Sequence, residues 1–141
     1  MTAKEYLSQA YKIDNSINSK LEQVASLRDL ATKATTTISD TPGSPNRNIH
    51  KMEDAIVKIT DLEDEINADI QELISLKADI MHTIKRVSNR QQRTILEKRY
   101  LCFETWEQIS VDMSYSIQHT FRLHDKALEA IDGFLRSRES M

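Results

Sequence analysis

A single cysteine in 141 residues excludes an internal disulfide and leaves no second thiolate for a cysteine-based zinc site. Cys102 is expected to act as a small buried apolar filler. Glycine and proline number two each, and three of these four residues stand together at Pro42, Gly43 and Pro45. Outside that cluster almost nothing in the chain would interrupt a helix. No apolar run approaches the roughly 18 residues needed to span a bilayer. The amino-terminal "MTAKEYLSQAYK" also lacks the basic, apolar and small-residue segments of a secretory signal. A cytoplasmic protein with no membrane contact is expected.

The usual marks of catalysis are missing too. There is no glycine-rich phosphate loop, no nucleophile elbow and no paired metal motif. His50 and His82 stand alone, and His119 and His124, five apart, do not lie side by side on a helix. The acidic run "DLEDE" at residues 61–65 falls between apolar seam positions, where a solvated helix face accounts for it better than a metal or a basic partner. Neither an enzyme, nor a cofactor, nor a metal is expected.

What the chain does have is helical periodicity. With 39% hydrophobic and 29% charged residues it has the composition of a folded protein. Apolar positions recur at 3–4 spacing as Leu7, Ala10, Ile17, Leu21, Val24, Leu27, Ala31, Ala34 and Ile38, with Asp14 breaking the series. After "SDTPGSPNRN" they resume as Ile49, Met52, Ile56, Ile59, Ile66, Ile70, Leu73, Ile80, Ile84 and Val87, interrupted by Glu63 and Lys77. Two helices of about 35 to 40 residues, each roughly 55 Å long, joined by a short Pro/Gly loop, predict an antiparallel coiled-coil hairpin. It should span residues 1–87, with the loop at about 39–48. Val57, Leu62, Ile74 and Leu76 widen the apolar stripe of the second helix beyond what one partner covers. A second copy of the chain is the economical cover, so a homodimer or higher homo-oligomer is expected, held through Ile56, Ile59, Ile66, Ile70, Leu73 and Ile80.

Charge is uneven along the chain. The net charge is −3; residues 1–87 carry 14 acidic against 11 basic side chains, and residues 88–141 carry eight of each. Lys85, Arg86, Arg90, Arg93, Lys98 and Arg99 face only Glu97 in one continuous stretch, which makes a local basic patch. Three shorter helices follow Val87. "NRQQRTILEKRYL" sets Ile95, Leu96, Tyr100 and Leu101 on one side. Thr105 is a plausible N-cap for a helix with Trp106, Ile109, Ser110 and Met113 on one face, and Ser116 caps a longer one that reaches about Leu135. Two helices joined by about three residues, the second longer, are a helix-turn-helix signature.

The stretch "ILEKRYLCFETWEQISVDMSYSIQHTFRLHDKAL" resembles region 4 of bacterial sigma factors and phage-encoded sigma-like regulators. There an apolar-plus-Arg helix end like "LEKRY" precedes a helix of the kind seen in "TWEQIS" and a Ser-capped recognition helix ending like "DKAL". The resemblance covers about the last 50 residues. A long hairpin ahead of such a module also resembles small phage proteins grouped with late-gene regulators of the ArpU type. The resemblance implies an all-α protein whose residues 88–141 bind double-stranded DNA and contact RNA polymerase. It places base readout on Ile117, Gln118, Phe121 and Arg122, and phosphate contacts on Arg90, Arg93, Lys98 and Lys126. Thr120, Leu123, Ala127 and Phe134 would face inward, leaving His119 and His124 as flanking residues. The turn position where the family commonly has Gly is Ser114. Two alternatives use the same pattern: a phage DNA-packaging recognition subunit, or a helical interaction module that touches RNA polymerase without reading DNA.

Overall fold

The computed structural model describes residues 1–40 and 45–140. Within them every regular element is helical: α1 (Ala3–Asp40), α2 (Pro45–Ile84), α3 (Arg90–Leu96), α4 (Trp106–Met113) and α5 (Ile117–Glu139). A π-helical segment, Glu97–Leu101, runs directly on from α3. The chain is all-α with a long amino-terminal helical hairpin, as its periodicity predicts. Ser39 and Asp40 still belong to α1 and residues 45–48 to α2, so the connection is shorter than the expected 39–48. Pro42 and Gly43 lie outside the described residues, as does the side chain of Ile38. Pro45 opens α2 instead of sitting in a loop, because its fixed φ and missing N–H suit a first helical position. No described helix is long and apolar enough to cross a membrane.

By packing, the chain forms two compact units. The first, Asp14–Glu72, holds the distal lengths of both hairpin arms. Lys20 Nζ meets Asp69 Oδ2 at 2.6 Å and Arg28 meets Glu63 at 2.7 Å, so positions rise along α1 as they fall along α2 and the arms run antiparallel. Among the described residues here, only Ile17, Val24, Ala55 and Ile66 are buried hydrophobics. Leu21, Ile49, Ile56 and Ile70, all placed on the seam by their spacing, are exposed. In α2 the exposed Ile49, Ile56 and Ile70 share one heptad position, while Met52, Ile59, Ile66, Leu73 and Ile80 of the alternate row are half-buried or buried, so only one of the two rows in the 3–4 pattern faces inward. Of the residues expected to join copies of the chain, Ile66 and Ile80 are buried within the chain itself, Ile59 and Leu73 are half-buried, and Ile56 and Ile70 are exposed.

The second unit joins Met1–Ile13 with Leu73–Met141. Its core gathers Leu7 and Ala10 from α1, Ile80 and Ile84 from α2, Leu96 from α3 and Ile131 from α5, all fully buried or within 1% of it. Each such Leu or Ile contributes about 1.5–3 kcal/mol of burial. Thr83 and Tyr6 are polar members of this layer. The Tyr6 hydroxyl donates to Asp79 and lies 3.0 Å from Thr83 Oγ1, so its polar atom is satisfied inside the apolar surround. Burial, followed by the bond to Asp79, raises the Tyr6 pKa. Lys77, an interruption in the seam pattern, donates to the Leu101 carbonyl at 3.0 Å and lies 4.5 Å above the Phe103 ring. Those contacts explain a lysine there, and they help hold Phe103 at φ 58, a conformation that a bulky residue adopts only under tertiary constraint.

Candidate nucleic-acid interface

The segment from Arg90 onward is built from local signals that the sequence states clearly. Asn89 caps α3 by accepting from the Gln92 N–H at 3.0 Å. The π-helical turn then carries one extra residue per turn: the Cys102 N–H reaches the Glu97 carbonyl, and Ile95, Leu96 and Tyr100 all end up buried. Thr105 and Gln108 form a reciprocal capping box, 3.2 Å and 2.9 Å, that starts α4. Ser114 closes α4 at φ 59, ψ 40, the left-handed conformation that a glycine would adopt at lower cost. The Tyr115 N–H donates to the Ser110 carbonyl at 2.9 Å and satisfies the helix end. Ser116 caps α5 through the His119 N–H, 3.1 Å. A side-chain bond, Ser110 Oγ to Thr120 Oγ1 at 3.1 Å in a buried position, ties α4 to α5 across this three-residue turn.

Ile109 of α4 is fully buried. Trp106, also of α4, meets Phe121 edge-on at 5.2 Å and His124 at 4.5 Å. His124 is the main departure from expectation. It is buried, not a flanking surface residue, and its Nε2 lies 2.7 Å from the Tyr100 hydroxyl. Burial pushes His124 down to about 4 and Tyr100 up to about 12. Cys102 departs in the other direction: it is exposed, not a core filler. Of the four residues expected to face inward, Thr120 and Ala127 are buried while Leu123 and Phe134 are half-buried.

The residues assigned to base readout all lie on the outside of α5. Gln118 and Arg122 are exposed, and Ile117 and Phe121 are 38% and 42% exposed. Gln118 and Arg122 sit four apart, opposite the inward line of Thr120, His124, Ala127 and Ile131. Phe121 is partly committed to Trp106. His119, Arg122 and Lys126 border one shallow surface depression together with Leu123 and Asp125. His119 therefore stands with Arg122 and Lys126 at i, i+3, i+7, a spacing already visible in the sequence.

The expected basic patch does not survive as one surface. Arg86 stacks on Phe134 at 4.4 Å, and Arg99 stacks on Trp106 at 4.6 Å and donates to the Glu104 carbonyl. Lys98 is drawn between Glu104 at 3.7 Å and Asp112 at 3.4 Å. The Glu104 Oε2 it faces is buried and has no hydrogen bond, which binds Lys98 to a local structural task. Arg90 and Lys126 are exposed and Arg93 is half-buried, and none of the three has an ion-pair partner among the described residues. No group of three or more potential metal ligands occurs among the described residues.

One family model, described as "Protein of unknown function (DUF1492)", matches residues 44–132, from the start of α2 into α5. No curated protein and no solved structure matches the chain.

Proposed function

The chain belongs to the family described as DUF1492, and from its own geometry we propose that it is a homo-oligomeric transcriptional regulator that binds double-stranded DNA through α4 and α5. In this reading α5 is the recognition helix of a helix-turn-helix and lays its first two turns in the major groove. The observation that carries it is the pair Gln118 and Arg122, exposed one turn apart at the capped start of α5, on the side opposite its core contacts. Gln suits a bidentate contact to adenine and Arg one to guanine. Lys126, assigned to phosphate, follows on the exposed side with Asp125 beside it. The resemblance of residues 95–128 to sigma region 4, and of the whole arrangement to ArpU-type phage regulators, supports the same assignment.

The test is selection of bound fragments from random DNA at low salt, followed by site measurements on variants. Gln118→Ala and Arg122→Ala are each expected to lose about 1–3 kcal/mol of discrimination at one base pair, with thermal melting unchanged. Unchanged site preference in both variants would defeat base readout. Ile131→Ala supplies the folding control, since a fully buried Ile costs about 2–5 kcal/mol of stability and loses DNA only through unfolding.

Arg90 and Arg93 are assigned to phosphates. Replacing both with Ala is expected to weaken all DNA sequences equally and to flatten the salt dependence by about one unit for each phosphate no longer neutralised. Loss of preference for one site with non-specific affinity intact would contradict that role. A second reading has its own observation. Exposed Ile117 and Phe121 give the start of α5 an apolar shoulder suited to protein contact, as expected of a module that touches RNA polymerase without reading DNA. Absence of any enriched motif in the selection would favour it.

A further inference from the structure

Six charged residues of α2 form one stripe along the helix: Arg47, Lys51, Asp54, Lys58, Asp61 and Glu65. Their steps of four, three, four, three and four keep them on a single side. All six are exposed, and none has an ion-pair partner among the described residues. Their signs run plus, plus, minus, plus, minus, minus. Read backwards against itself, that order sets every positive charge against a negative one.

Beside the stripe, α1 and α2 leave an apolar groove. Leu27, Leu30, Ala31, Ala34 and Ala55 line it, with Lys51, Asp54 and Lys58 at its edge, and a second depression continues it past Leu62 and Asp61. The small side chains of the alanines leave room in the groove, and Leu30 remains 55% exposed.

We propose that this face docks a second copy of the chain, with the two α2 helices antiparallel about a two-fold axis that passes between Asp54 and Lys58. Each ion pair then occurs twice: Arg47 with the partner's Glu65, Lys51 with the partner's Asp61, and Asp54 with the partner's Lys58. The apolar groove beside them supplies the dry part of the contact, and the charges fix direction and register. A parallel, in-register dimer would instead set every charge against its own kind. The other flank of the hairpin lacks this pattern, since its Arg28 and Glu63 already pair with each other. The inference rests on the homo-oligomer part of the proposed function and is independent of DNA binding.

The experiment uses the full chain with Cys102→Ser, because that thiol is exposed. Lys51→Cys and Asp61→Cys proteins are treated with a short thiol-to-thiol cross-linker, separately and mixed. Covalent dimer is expected only in the mixture, because antiparallel pairing puts two copies of position 51 ten residues apart, about 15 Å along the axis. Cross-linking of Lys51→Cys to itself would mean parallel pairing and overturn the register while leaving an oligomer. Failure to cross-link in all three samples, with a monomer in sedimentation, would overturn the homo-oligomer reading as well. Charge reversal gives an independent measure. Lys58→Asp is expected to weaken self-association about tenfold at low salt, and Asp54→Lys with Lys58→Asp to restore it. Helical content by circular dichroism should stay constant in both, since the residues are exposed. Equal association of the single and double variants would refute the pairing.

Discussion

Ile66→Asp is expected to unfold the distal part of the hairpin, and Ile70→Asp to leave it standing. Ile66 is 6% exposed and is one of only four buried hydrophobics among the described residues of the unit Asp14–Glu72, so few other contacts there can compensate. Truncating a buried Ile costs about 2–5 kcal/mol, and an unpaired buried carboxylate adds several more. Together these exceed what such a sparse core supplies. Ile70, one turn further along, is 37% exposed, and an aspartate there keeps its water. Its cost should stay within about 1 kcal/mol. Urea titration followed by helical circular dichroism separates the two. Equal losses would mean that the inward face of α2 is assigned wrongly. The same comparison bears on oligomerisation, because Ile70→Asp with an intact hairpin reports on exposed association surfaces alone.

The contrast between neighbouring isoleucines shows what periodicity conveys and where it stops. The existence, length and direction of the two arms were legible because helix-breaking residues are confined to one short stretch and the apolar spacing is sustained. The inward face was legible in only one of the two rows that the spacing picks out. Ala55, absent from the expected seam, is buried, while Ile56 beside it is 52% exposed, because successive helical residues stand about 100° apart and the inward side is the one that carries Ala55 and Ile66. Caps behaved differently. Thr105, Ser116 and the left-handed Ser114 act through bonds to residues at most five positions away, so their roles could be read directly from local sequence.

Contacts between distant residues were not legible in that way. The basic run from Lys85 to Arg99 reads as one patch, yet Arg86, Lys98 and Arg99 are engaged by Phe134, Asp112 and Trp106, partners at a sequence distance no spacing rule covers. Cys102 reads as core because free cysteines usually are. A π-helical turn puts it outside, and nothing in "RYLCFE" announces that turn. Gln118 and Arg122 are exposed, opposite the buried line of Thr120, His124, Ala127 and Ile131.

His124 makes the second unit sensitive to acid, and about 3 kcal/mol of stability is expected to disappear between pH 6.5 and 4. The Tyr100 pKa, raised by burial to about 12, keeps its hydroxyl protonated, 2.7 Å from His124 Nε2. His124 Nδ1 lies 4.0 Å from Asp125 Oδ1. Burial is the main reason His124 is held down to about 4; Lys4 and Arg99 push the same way and Asp125 opposes them. Trp106 walls the ring on another side. In the unfolded chain the same imidazole protonates near pH 6.5. Below that pH the unfolded state binds the extra proton and the folded state does not, so stability falls with pH at about 1.4 kcal/mol per unit until the folded histidine also titrates. His124→Leu removes the titration, so the difference in unfolding free energy between pH 7.5 and pH 5 should shrink by about 2 kcal/mol relative to the parent chain. Tyr100→Phe removes the hydrogen bond to His124 Nε2 and should lower stability at pH 7.5 by about 1 kcal/mol. An unaltered pH dependence in His124→Leu would place the acid sensitivity elsewhere in the chain.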